Sequence, residues 1–344
     1  MDIVIGLLII AVGAFCQSSC YVPINKIKQW SWESYWIVQG VFAWLILPFL
    51  GALLAVPSGH LLCELFTASQ SFNIWMTILF GVLWGVGGLT FGLSMRYLGV
   101  ALGQSIALGT CAGLGTIMGP VLLNIFFPEN DPLSQLTFSV ILGVVVTLLG
   151  IAIIGVAGSM KAASLSEEEK KAAVKDFNFP KGLAIALLAG FMSGCFNVGL
   201  EFGKDINFGE LTDPMFRTLP ATFLVTLGGF VTNAVYCFYQ NQKNHTWGDY
   251  GKTGVLLNNV VFCLLAGALW YSQFFGLALG KGFLTSSPTL MTLSFCILMA
   301  LNVVFSNVWG IILKEWKGCS QKTIAVLIIG IVVLVISCFL PQLV

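Results

Sequence analysis

Ten long stretches without a charged side chain constrain this chain of 344 residues more than any other feature. Charged residues make up only 9% of the chain and the mean hydropathy is +0.92, whereas soluble domains carry about 25% charged residues. About 20 apolar residues suffice for a helix to cross a bilayer. The stretches are Ile3–Asn25, Ser34–Cys63, Leu65–Met95, Tyr97–Pro128, Pro132–Met160, Gly182–Leu200, Thr218–Gln242, Thr253–Gly280, Gly282–Leu313 and Thr323–Val344. We therefore predict ten transmembrane helices joined by short connections.

The composition narrows the class of protein further. The stretches are continuously apolar rather than alternating, which favours an all-α integral membrane protein over a transmembrane β-barrel. The first stretch lacks the basic start of a secretory signal, so we interpret it as the first span. HExxH, GxSxG and Walker A motifs are absent from the sequence, and the ten cysteines are scattered, so we expect no enzyme activity, cofactor or metal site. A net charge of +1 argues against a nucleic-acid partner, and nothing in the sequence indicates an obligate protein partner. Transport across the bilayer, driven by an ion gradient, is the expected function.

The distribution of lysine and arginine predicts the orientation. Of the 16 basic residues, 13 fall in odd-numbered connections, and only Lys204, Arg217 and Lys281 fall in even-numbered ones. Basic residues accumulate on the cytoplasmic side of membrane proteins. We therefore expect odd connections in the cytoplasm and both termini in the periplasm.

An internal repeat is indicated by short strings that recur in the same order. GLLIIAVGAFCQSSC at Gly6–Cys20 is similar to GLAIALLAGFMSGCF at Gly182–Phe196, GVLW at Gly81–Trp84 to GALW at Gly267–Trp270, and FGLSM at Phe91–Met95 to FGLAL at Phe275–Leu279. Five spans in each half would make the second half enter from the opposite face, an inverted repeat that is frequent in secondary transporters. We predict a first five-helix repeat at 1–160, a cytoplasmic linker at 161–180 and a second five-helix repeat at 181–344. The linker is either a charged surface helix or a solvated loop.

Polar side chains within the spans are the candidate site residues, because they are costly in lipid unless they pair or face water. Amide, hydroxyl and indole groups with almost no charge suit a neutral polyol, since amides supply both donors and acceptors. We predict that Trp84 or Trp270 stacks on a sugar ring. The predicted hydrogen-bonding residues are Gln17, Asn197, Asn259, Tyr271 and Gln273. Contacts between helices are the alternative role for each of these groups.

Glu201 is the candidate for proton coupling. It is the carboxylate that can be placed on a span beside polar residues, with Asn197 and Ser193 one and two helical turns earlier on the same face. The alternative is an interfacial carboxylate paired with Lys204.

Four strings together resemble one transporter family. KIKQWSWE at Lys26–Glu33, GLSMRYLG at Gly92–Gly99, LWYSQFF at Leu269–Phe275 and LKEW at Leu313–Trp316 are similar to segments of the bacterial L-rhamnose–proton symporters of the drug/metabolite transporter superfamily. The resemblance runs from the first span to the last. It implies a ten-helix inverted-repeat bundle in the bacterial inner membrane that imports L-rhamnose, and L-lyxose or L-mannose as further candidates, together with protons. An exporter of metabolites or drugs from the same superfamily is the alternative function, and a non-transporting membrane sugar sensor is a more distant one.

Overall fold

Ten apolar helices make up most of the described part of the chain. The computed structural model describes residues 2–56, 71–98, 100–164, 178–204, 206, 208, 214–312 and 316–340, and no strand occurs among them. Ten of its helices are long and apolar enough to cross a membrane, which confirms the predicted all-α, ten-span fold of a multi-pass membrane protein. They are α1 Asp2–Ile24, α2 Trp32–Ala55, α3 Ser71–Leu98, α4 Val100–Phe126, α5 Phe138–Ser164, α6 Phe179–Gly203, α7 Leu219–Asn244, α8 Thr253–Phe283, α9 Pro288–Ile312 and α10 Gln321–Phe339.

Helix α2 changes its hydrogen-bond register in the middle. Its α-helical ends, Trp32–Gly40 and Leu47–Ala55, flank a π-helical turn at Val41–Ile46. Pro48 follows directly and has no N–H to donate to the carbonyl of Trp44, so the regular i→i+4 ladder cannot continue through this point. Wider turns of this kind are often found at functional sites, and Trp44 lies within this one.

The helices form two compact units. The first unit comprises Met1–Gly85 and Gly199–Phe283, and the second comprises Val86–Val198 and Leu284–Val344. Both predicted halves of the sequence contribute to both units. The compact units are defined by contacts, whereas a repeat is defined by similarity between two segments. The division into units therefore does not test the predicted boundaries at 160 and 181. Residues 165–177 of the predicted linker lie outside the described residues.

Within each unit, helices five places apart in the chain contact each other. Helix α2 packs on α7 in the first unit, while α4 packs on α9 and α5 on α10 in the second. Helix α1 packs extensively on α8, where a Cβ on Gly13 would lie 2.9 Å from the carbonyl oxygen of Ser272. A contact between two helices does not show that they are equivalent, so the repeat and its inverted relation stay predictions.

Odd-numbered connections meet other odd-numbered connections. In the first unit the N–H of Ser31, in the first connection, donates to Asp249 in the seventh. In the second unit the Lys161 ammonium, in the last turn of α5 before the fifth connection, lies 4.8 Å from the ring centroid of Trp316 in the ninth. Helices that cross a membrane alternately in opposite directions require this parity.

Candidate functional site

Three tryptophans from three helices meet in the first unit. The ring centroids of Trp84 in α3 and Trp270 in α8 are 5.6 Å apart, with the rings tilted by 33°. Trp44 in α2 meets both rings edge-on, at 6.1 Å from Trp84 and 6.0 Å from Trp270. We call Trp44, Trp84 and Trp270 the indole cluster. The structure therefore brings together the two tryptophans selected from the sequence.

Glycines provide the space for two of these rings. A Cβ on Gly40 would lie 2.5 Å from two ring carbons of Trp44, and a Cβ on Gly229 would overlap the ring of Trp84. Real Cβ atoms do not approach ring carbons so closely, so any larger residue at either position must displace the indole. The positions of the indoles therefore depend on glycines in α2 and α7.

Tyr271 and Gln273 follow Trp270 on α8. The Tyr271 side chain is buried and its hydroxyl lies against Gly51 of α2, where a Cβ would overlap the oxygen. This hydroxyl has no hydrogen-bond partner among the described residues. Gln273 is also buried, and its Nε2 donates to the carbonyl of Trp270 at 3.2 Å. Both side chains thus lie within the first unit near the indole cluster, and their predicted role in binding sugar stays a prediction.

Asn259 and Gln17 are placed differently. Asn259 is fully buried; its Nδ2 donates to the carbonyl of Lys28 at 2.7 Å, and its Oδ1 accepts from the Lys28 N–H at 3.0 Å. Both amide atoms therefore hold the first connection against α8. Gln17 is half-buried near the end of the regular part of α1. A sugar-binding role for either residue stays a prediction.

Asn197 belongs to the second unit. It is buried in α6, and its Nδ2 donates to the carbonyl of Gly115 in α4 at 2.8 Å. Its Oδ1 is also buried and accepts no hydrogen bond from any described residue. The Nδ2 of Asn197 thus holds α6 against α4.

Glu201 lies in the last turn of α6. Its Oε2 is 2.8 Å from the Nζ of Lys204, and the exposed fractions of the two side chains are 16% and 35%. Lys281, at the end of α8, interacts electrostatically with Glu201. The ion pair with Lys204, which was the alternative interpretation from the sequence, is therefore present. The Glu201 carboxylate is partly accessible and interacts with two cations, Lys204 and Lys281.

A second polar cluster joins the start of α2 to the end of α7. The Asp249 carboxylate accepts from the Ser31 N–H at 2.7 Å, from the Ser34 hydroxyl at 2.9 Å and from the Lys252 ammonium at 2.6 Å. Burial alone would raise the pKa of Asp249, but these hydrogen bonds outweigh it and lower the pKa to about 2. Buried Glu33 lies in the same cluster and accepts from Asn244 and Thr246 at 3.0 and 2.9 Å. Both carboxylates accept several hydrogen bonds, so the cluster holds α2 against the end of α7.

Sequence reasoning missed Trp44. It lies in an uninterrupted apolar run, where one more aromatic residue is unremarkable. The available signals were Gly40 four residues before it, which leaves room for the ring, and Pro48 four residues after it, which perturbs the helix. Among the described residues, no group of three or more histidine, cysteine or acidic side chains is arranged to hold a metal ion.

Comparison with known proteins identifies the family. The model of the L-rhamnose-proton symport protein family matches residues 1–343. Similar curated relatives are named L-rhamnose-proton symporter in Yersinia pestis (strain Pestoides F) and in Yersinia pseudotuberculosis (serotype O:1b, strain IP 31758). Each is 31% identical over 343 residues, which cover 97% of this chain and 96% of the relative. These relatives are transporters rather than enzymes, and this chain belongs to the L-rhamnose–proton symporter family.

Proposed function

We propose that this protein imports L-rhamnose together with protons across the bacterial inner membrane. Family membership over nearly the whole chain supports the substrate and the coupling ion. The observation that carries the proposal structurally is the indole cluster, which lies beside buried polar groups of α2 and α8 and contains no charged residue. Such a lining suits a neutral sugar, whose C–H faces pack on indoles and whose hydroxyls need donors and acceptors. L-Lyxose and L-mannose are further candidate substrates.

In the proposed site, Trp270 or Trp84 stacks on the pyranose ring. Tyr271 and Gln273 are the candidate partners for sugar hydroxyls. Asn197 lies in the second unit, and its predicted role in binding sugar is proposed separately from this site. Rhamnose is a 6-deoxy sugar, so part of its site must be apolar. Phe274 is buried and its ring centroid lies 5.2 Å from that of Trp270, which provides such a surface.

Glu201 is the proposed proton-coupling residue. Its carboxylate is partly accessible and lies in the last turn of α6, where under the proposed orientation it faces the periplasmic side. Lys204 and Lys281 would compete with a proton for this carboxylate, so protonation would release an ion pair. That exchange provides a physical link between proton binding and the position of α6 relative to the end of α8 within the first unit.

The proposed orientation follows from charge. Basic residues concentrate in the odd-numbered connections, which supports a cytoplasmic location for those connections and a periplasmic location for both termini.

Transport by the purified protein in proteoliposomes tests the proposed function. We expect L-rhamnose to accumulate when the outside is more acidic than the lumen, and to stop accumulating when a protonophore is added. Addition of L-rhamnose without an imposed gradient should carry protons inward, whereas D-glucose should not. L-Fucose, another 6-deoxy sugar, tests whether the site reads the hydroxyl pattern or only the methyl group. Rhamnose uptake that is insensitive to the proton gradient would contradict symport.

A further inference from the structure

The interface between α2 and α8 holds polar atoms in addition to those of the predicted site. The two helices approach closely at Gly267, where a Cβ would lie 2.9 Å from the Cβ of Phe42 and 3.1 Å from the carbonyl oxygen of Gln39. Trp44 and Trp270 meet about one turn further along, and beyond them the Tyr271 hydroxyl lies against Gly51. Gln39, Trp44 and Tyr271 thus follow one another along a single interface of the first unit.

Each of these three residues has a buried polar atom without a hydrogen-bond partner in the part of the chain that the structure describes. Gln39, Trp44 and Tyr271 are 2%, 3% and 7% exposed. The Oε1 of Gln39, the Nε1 of Trp44 and the hydroxyl of Tyr271 make no hydrogen bond to any residue that the structure describes. An unsatisfied buried polar group costs about 1–3 kcal/mol, and native proteins contain few of them. Three along one interface therefore need a physical reason.

Trp44 belongs both to this interface and to the indole cluster. The Trp44 ring lies over Gly40, the neighbour of Gln39, and its edge meets the rings of Trp84 and Trp270. The π-helical turn that holds Trp44 has hydrogen bonds from i to i+5, which shifts the direction of its side chains relative to a regular α-helix. Unlike Trp44, Trp36 on the same helix is satisfied, because its Nε1 donates to the Oδ1 of Asn233 at 3.0 Å.

We propose that Gln39 and Trp44 are specificity-determining residues of the sugar site, where the Gln39 Oε1 accepts from one pyranose hydroxyl and the Trp44 Nε1 donates to another. This inference rests on the proposed function and extends the predicted site from α3 and α8 to α2. Both polar atoms are buried, so a sugar can reach them only when a neighbouring side chain moves. A polar atom that only the correct sugar satisfies discriminates strongly against analogues that lack the matching hydroxyl.

Calorimetric titration of the purified, full-length protein tests this inference with L-rhamnose and its 2-deoxy, 3-deoxy and 4-deoxy analogues. Trp44→Phe removes the Nε1 donor and keeps an aromatic ring, while Gln39→Met removes the acceptor at similar length. We expect each variant to bind L-rhamnose about tenfold more weakly than the wild type. Each variant should also lose discrimination against one deoxy analogue, because the hydroxyl missing from that analogue no longer has a partner in the protein.

Trp36→Phe is the matched control, since it makes the same substitution on the same helix at an indole that is already satisfied. Its affinity for L-rhamnose should equal that of the wild type. Unchanged affinity and unchanged discrimination in both Trp44→Phe and Gln39→Met would overturn the inference while leaving the proposed function intact. Absence of L-rhamnose binding by the wild type would instead overturn both. If a variant does not fold, titration of the wild type with the three deoxy analogues still tests the inference. Equal affinity of the wild type for L-rhamnose and for all three analogues would refute recognition of individual hydroxyls.

Discussion

At the scale of single residues, the indole rings at the centre of the proposed site carry the first prediction. Trp270→Ala and Trp84→Ala each remove a broad apolar surface on which a pyranose can pack. We expect each to weaken L-rhamnose binding at least tenfold, equivalent to about 1.4 kcal/mol, with folded protein retained. Calorimetric titration measures the affinity, and size-exclusion chromatography checks the fold.

The matched control is Trp247→Ala. Trp247 lies in the seventh connection, is exposed and contacts Phe238 rather than the indole cluster. This variant should bind L-rhamnose like the wild type. If both cluster variants retained wild-type affinity, stacking on these rings would be refuted and their contacts would be purely structural.

The coupling residue gives a second prediction at the same scale. Glu201→Gln keeps the shape of the side chain and removes its charge and titratable proton, so it breaks the ion pair with Lys204. We expect L-rhamnose exchange between two equal pools to persist, while accumulation driven by a proton gradient is lost. Both are measured in proteoliposomes with labelled sugar. Lys204→Gln is the comparison, because it breaks the same ion pair but keeps the carboxyl group. Accumulation should be weakened rather than lost in this variant, since Lys281 still interacts with Glu201. Full accumulation with Glu201→Gln would assign coupling to another group.

Residue chemistry predicted only part of the candidate site. Trp84 and Trp270 could be found because an indole within a repeated GVLW or GALW string marks equivalent positions in two halves. Asn259 was selected by the same polarity argument, yet its amide holds the backbone of Lys28. The residue type shows that a side chain can form hydrogen bonds. Whether its partner is a backbone group or a ligand depends on how the helices pack, which the sequence pattern does not reveal.

At the scale of secondary-structure elements, the junction between α2 and α7 predicts a pH dependence of stability. The pKa of Asp249 falls from 3.8 to about 2 in the folded protein, a difference that corresponds to about 2 kcal/mol. A lowered folded-state pKa means that this stabilisation is present above pH 4 and disappears as pH falls through 2. Thermal unfolding in detergent between pH 5 and pH 2 should therefore show a progressive loss of stability.

Asp249→Asn isolates this contribution. The amide oxygen still accepts from Ser31, but the group no longer titrates and no longer pairs with Lys252. We expect the variant to be less stable than the wild type at pH 5, and the difference to shrink as the pH approaches 2. A constant difference over this range would show that Asp249 does not carry the acid sensitivity.

Elements were predicted more completely than their internal geometry. Charge-free length is enough to find all ten helices, because a bilayer imposes the same length on each of them. The π-helical turn of α2 was not predicted, because hydropathy contains no information on which carbonyl accepts the hydrogen bond from each backbone N–H. Pro48 indicated a disturbance but not its form, since a proline can end, bend or widen a helix.

At the scale of the whole molecule, the sequence repeat and the compact units divide the chain differently. Helix α3 contributes Ser71–Gly85 to the first unit and its remainder to the second, and α6 is divided near Val198. Sequence similarity can identify equivalent spans, but it contains no information on which of them pack together. Helices from the two halves of the sequence, such as α5 and α10, contact each other within one unit, so neither half of the sequence coincides with a compact unit.

Orientation is the whole-molecule property that the sequence predicts independently of packing. The concentration of lysine and arginine in odd-numbered connections predicts that both termini are periplasmic. A C-terminal alkaline phosphatase fusion, which is active only in the periplasm, should therefore be active in intact cells. Single cysteines provide the internal comparison, because Asn130 and Lys317 are both exposed but lie in the fourth and ninth connections. A membrane-impermeant maleimide should label Asn130→Cys and should spare Lys317→Cys until the cells are lysed. The reverse pattern would invert the molecule and would place Glu201 at the cytoplasmic end of α6, where it could release a proton but could not receive one directly from outside.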